Sequence, residues 1–98
     1  MKRKFNITMH VPLGNRHGTM CFTENNSTIS GILEVLGSKD DFTGTLTESG
    51  TLEFTGKMTS LLHSFSYLAK GTILNSKLKV NVTGGRYSFY ITGEEIIA

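Results

Sequence analysis

A chain of 98 residues with 38% apolar and 18% charged side chains is long enough for one modest core and too apolar for disorder. A net charge of +2 demands no polyanionic partner, and the single cysteine, Cys21, excludes an internal disulfide. No stretch approaches the roughly 20 apolar residues of a membrane-spanning helix, and Thr, Ser and Gly take the place of charge, as in antiparallel sheet.

The chain opens on Lys2-Arg3-Lys4, a solubilising end. Asn6 and Thr8 interrupt any apolar run behind it, so no secretion signal is expected. With one unpaired cysteine, a reducing, cytoplasmic setting is expected. From Phe5 onward the apolar period is two. Phe5, Ile7, Met9, Val11 and Leu13 alternate with polar residues, and Gly14 to Gly18 reads as a turn. Met20 and Phe22 form a second inward series, closed by a turn over 24–27. Ile29, Gly31, Leu33 and Val35 form a third, followed by a predicted turn at Gly37-Ser38-Lys39-Asp40. Phe42, Gly44 and Leu46, then Leu52, Phe54, Gly56 and Met58, flank a short loop at Glu48-Ser49-Gly50. The pattern pauses at Ser60 to His63, where a loop or a turn of helix is expected. Phe65, Tyr67, Ala69, Gly71 and Ile73 make a sixth strand, with a turn at Asn75-Ser76. Leu78, Val80 and Val82 make the seventh. Gly84-Gly85 reads as a two-residue hairpin turn, and Tyr87, Phe89, Ile91 and Gly93 complete the series.

Eight strands with short connections predict a single all-β domain over 1–98, an antiparallel meander. Gly31, Gly44, Gly56, Gly71 and Gly93 all fall on the apolar face. Glycine in a strand interior costs about 0.5–1 kcal/mol against alanine. A strongly coiled or closed sheet gives it a use, because an inward Cβ crowds its neighbours where a strand bends. The expected fold is therefore a closed or nearly closed eight-stranded barrel, with a two-sheet sandwich as the alternative.

The segments Met9 to Met20, Phe54 to Met58 and Gly71 to Leu78 resemble a group of small bacterial proteins of uncharacterised function, built as a Gly-punctuated strand meander. More distantly the layout is similar to lipocalin- and avidin-like (calycin) barrels. The chain has no Trp, and so lacks the Gly-x-Trp that marks lipocalins. The resemblance implies a barrel and transfers no functional residue.

For chemistry the signals are sparse. His10 falls on the polar face of the first strand, His17 and His63 in or near turns, and no His pair has metal-ligand spacing. Asp40-Asp41 reads as turn residues. An enzyme would use His10, Cys21 or His63, with His10 and Cys21 able to pair only across the first hairpin, and no catalytic residue, metal or cofactor is expected. Outward Lys77, Lys79 and Arg86 beside Tyr90 hold the ingredients of a single-stranded nucleic-acid binder, diluted by Glu53, Glu94 and Glu95. The expectation is a non-catalytic barrel that associates with itself or a partner protein, or takes a small apolar ligand. The candidate lumen residues are Phe42, Phe54, Met58, Phe65, Tyr67, Tyr87 and Phe89. Ile32, Leu36, Leu61, Leu62, Leu68, Leu74, Ile96 and Ile97 are surplus to the inward set. They are expected to cap the barrel ends or to form a homodimer patch.

Overall fold

The computed structural model describes residues 2–12, 14–59 and 64–96. The expectations placed on Leu13, on 60–63 with Leu61, Leu62 and His63, and on Ile97 lie outside the described residues. Eight strands run β1 (Lys2–His10), β2 (Arg16–Asn25), β3 (Thr28–Val35), β4 (Ser38–Leu46), β5 (Thr51–Thr59), β6 (Ser64–Leu74), β7 (Lys77–Gly84) and β8 (Tyr87–Glu95). Each pairs antiparallel with the next, and β8 closes on β1 from Phe5↔Glu95 to His10↔Tyr90. The sheet is a closed barrel, so the sandwich alternative falls. Closure leaves no unpaired edge to template aggregation.

The period of two sets the two faces. The side chains of Phe5, Ile7, Met20, Phe22, Leu33, Leu52, Val80, Val82 and Ile91 are buried, while Thr43, Thr45, Glu53, Thr55, Lys70, Thr72, Lys79 and Asn81 are exposed. Apolar-in and polar-out is the inverse of the pattern of a lipid-facing barrel. Among the described residues no helix is long and apolar enough to cross a membrane.

Turn chemistry moves three predicted boundaries. The tight turns fall at Asn26-Ser27, Leu36-Gly37 and Asn75-Ser76, each with positive φ at both residues. Such turns twist in the same sense as the strands they join. The turn expected at 37–40 is thus centred one to two residues earlier, and Ser38 to Asp41 belong to β4. Gly84 forms the last rung of β7 with Tyr87, so the last turn is Gly85-Arg86 instead of Gly84-Gly85. Only Gly85 takes positive φ there, as a type II′ turn requires. His17 and Gly18 lie in β2, paired with Thr8 and Ile7, and are not turn residues.

The strand glycines sit where neighbouring backbone presses close. A Cβ built on Gly44 would strike the carbonyl oxygen of Glu53 and lie 2.5 Å from Cα of Phe54, its partner across β4 and β5. Gly31 and Gly71 meet adjacent strands in the same way. Large rings pack beside these close approaches. Phe5 stacks on Phe22 at 6.0 Å, Phe42 meets Phe54 at 4.7 Å, and Phe54 meets Tyr67 edge-on at 6.0 Å. The β4–β5 ladder runs only from Phe42↔Gly56 to Leu46↔Leu52. Beyond it the Asp40 carboxylate takes over, accepting hydrogen bonds from Thr59 N and Oγ1, each at 3.1 Å.

An ion pair covers the end where β1 begins and β8 finishes. Arg3 donates through Nη2 to Glu95 Oε1 at 2.7 Å and through Nε to Oε2 at 2.9 Å, and its guanidinium lies over the Phe5 ring. The Arg3 hydrogen bond, more than the opposing cost of burial, holds the Glu95 carboxyl below its usual range. A lowered folded value means that the folded state binds fewer protons than the unfolded chain. The pair therefore stabilises fully above the unfolded glutamate value of about 4.3, and the gain is lost as pH falls through the folded value. Glu95→Gln should cost about 1 kcal/mol at neutral pH. In urea denaturation the gap to wild type should narrow as the pH is taken below about 4. A gap of constant size down to pH 3 would refute the electrostatic origin.

Candidate binding site at one end of the barrel

An antiparallel meander sends alternate connections to opposite ends. Among the described residues one end receives Val11, Pro12, Gly14 and Asn15, Leu36-Gly37 and Gly85-Arg86; the other receives Asn26-Ser27, Thr47 to Gly50 and Asn75-Ser76. Among the described residues the apolar side chains of the interstrand connections (Val11, Pro12 and Leu36) therefore all belong to the first end. No acidic residue occurs among the described residues of those connections. The second end has polar turns and the Arg3–Glu95 pair.

At the apolar end the strands enclose an open hollow of about 470 Å³. Met9 and Met58, both buried, are its deepest lining. Val11, Pro12, Leu36, Phe65, Tyr87 and Phe89 form its walls, and Arg16, Arg86 and Ser88 complete it. Phe65 and Tyr87 pack ring to ring at 4.9 Å, which holds β6 and β8 in place around the opening. Leu36 is a bulky side chain with φ of +60°, and it packs partly against the core. A branched, non-glycine residue is strained in that conformation.

The seven residues expected to line a lumen divide between two places. Phe42, Phe54 and Tyr67 belong to the packed interior, which their side chains fill. Met58, Phe65, Phe89 and Tyr87, the last 45% exposed, line the hollow. The Tyr67 hydroxyl is buried without a hydrogen-bond partner among the described residues. Burial, and then the nearby Asp40 charge, push its pKa well above the usual tyrosine value. Sequence reading gave no site role to Met9, Val11, Pro12 and Arg16; it set Leu36 among the surplus apolar residues expected at the barrel ends or in a patch, and Arg86 on an outer basic face. The segregation of apolar connections to one end was the available signal for most of them.

The other expected constellations do not assemble. Cys21 pairs across the sheet with Lys4, and His10 lies six residues further along β1. At a rise of about 3.3 Å per residue, roughly 20 Å separates them. His10 instead contacts Thr92 Oγ1 through Nε2 at 2.8 Å and stacks on Tyr90 at 4.5 Å. His17 Nδ1 sits 3.2 Å from Thr8 Oγ1 on the outer surface. Among the described residues no group of three or more His, Cys, Asp or Glu converges. On the basic face, Lys77 pairs with Glu94 at 3.6 Å, and Tyr90 packs between His10 and the Lys79 ammonium. That ring is not a bare platform for a base. On the outside of β1 to β3, Ile32 and Ile96, 44% and 40% exposed, flank a second hollow with Cys21.

Compared with known proteins, the chain matches no family model, no curated protein and no solved structure.

Proposed function

We propose that the protein is a non-catalytic β-barrel that binds one small apolar or amphipathic ligand in the hollow at the Leu36 end. The strained Leu36 carries this reading. The other tight hairpin turns with two positive φ values place Asn-Ser at their centres, residues that tolerate this backbone. Leucine there costs about 1–2 kcal/mol and gives the hollow an apolar wall. Phe42, Phe54 and Tyr67 fill the interior, and of the hollows on the surface this one has the most apolar lining. The volume lies within the usual range for small-molecule sites.

The test is a fluorescence titration with Nile red, a neutral apolar dye, against wild type and Leu36→Asn. Wild type should enhance the dye with a saturable, one-to-one isotherm. Leu36→Asn should keep or raise the melting temperature and weaken dye binding about fivefold, the loss of about 1 kcal/mol of apolar contact. No enhancement by wild type, or equal binding by both proteins, rejects the reading. Self-association through Ile32 and Ile96 is the second reading, favoured by their exposure on one face. A sedimentation coefficient that does not rise between micromolar and millimolar protein would reject it.

A further inference from the structure

Resting on that binding site, we propose that its ligand is an amphipathic carboxylate whose anionic head is held by Arg16 and Arg86. Both side chains line the hollow, and no acidic side chain among the described residues shares it. Arg16 Nη1 reaches only backbone carbonyls, at 3.5 Å to Gly14 O and 3.3 Å to Asn15 O, which are long for hydrogen bonds. Neither guanidinium has an ion-pair partner among the described residues. Arg3, at the opposite end, is fully engaged by Glu95. The molecule thus neutralises the arginine at one end and leaves the two at the apolar end available.

A guanidinium offers a planar fork that matches a carboxylate, and Arg16 and Arg86, both exposed, hold it at the solvent side of the hollow where added salt screens the attraction. The remaining lining, Leu36, Phe65, Tyr87 and Phe89 above the two methionines, suits an alkyl or aromatic tail. The apolar residues line a concavity and do not form a projecting patch. A single molecule with its tail inside fits this shape better than a lipid surface does.

The experiment compares decanoate with decanol, matched in chain length, by calorimetric titration below micelle formation. The proteins are wild type and the Arg16→Gln/Arg86→Gln double variant, and vesicles of phosphatidylglycerol form a third arm. Wild type should bind decanoate about tenfold tighter than decanol at low salt, with the preference shrinking as salt rises. The double variant should bind both within twofold, and a cooperative thermal melt followed by circular dichroism shows that it is folded. Decanol binding without a preference for decanoate, or a preference that survives in the double variant, overturns the anion site alone. Failure of both ligands overturns it together with the binding reading. Partition onto vesicles with no binding of either monomer overturns it in favour of a membrane surface.

Discussion

Gly44→Ala should lower the melting temperature by at least about 15 °C, or leave no folded protein, while Gly37→Ala should cost only about 5 °C. The two substitutions add the same methyl group and meet different physics. At Gly44 the new Cβ collides with the Glu53 carbonyl oxygen and with Cα of Phe54, which are backbone atoms that no rotamer change can move. β4 and β5 must part, weakening the Gly44↔Phe54 rung and displacing the Phe54 ring from Phe42. That is overpacking at its severe end, about 3 kcal/mol or more. At Gly37 nothing lies within 4 Å of the added methyl, but φ is +74°. The cost there is the left-handed backbone alone, about 1 kcal/mol. Each kcal/mol moves the midpoint of a domain this size by roughly 4–8 °C. Scanning calorimetry reads both shifts. A Gly44→Ala midpoint within 5 °C of wild type would mean that the two strands are not pressed together at this point.

Phe54→Ala should cost about 4 kcal/mol, against about 1 kcal/mol for Phe89→Ala. Phe54 is 1% exposed and touches rings on both sides, Phe42 at 4.7 Å and Tyr67 at 6.0 Å. Removing it leaves a cavity in the centre of a barrel that cannot collapse, because the eight strands form a closed hoop. Phe89 lines the open hollow, where water or a shifted Tyr87 can occupy the space. Urea denaturation with matched slopes gives both values. A Phe89→Ala variant as unstable as Phe54→Ala would make the apolar end part of the sealed core, and would remove the space on which ligand binding depends.

The contrast between these phenylalanines also shows what could be read from the chain. Phe42 and Phe89 each fall in the inward series of their strand, so sequence assigns both to the apolar face. Phe42 is 2% exposed in the packed interior, whereas Phe89 faces the hollow. Parity chooses a face of a strand. Depth along the barrel axis depends on the tilt and stagger of eight strands, which no single strand encodes. Leu36 was legible only as surplus apolar surface. Its left-handed backbone follows from the two-residue turn with Gly37, and that turn is set by the β3–β4 register. Arg16 and Arg86 are 70 positions apart in the chain and become neighbours of one hollow only when β8 closes on β1. Asp40 looked like a turn residue because it follows Gly37, and it is instead the side chain that extends the shortened β4–β5 contact.

By itself the sequence determined the number of strands, their faces and the need for a coiled sheet, because alternation and turn chemistry act over a few residues and are written in them directly. Closure, the packing of rings through the interior and the apolar opening at one end were decided by the tertiary structure. They arise from contacts between residues far apart in the chain, whose spacing is set by how the whole sheet twists shut.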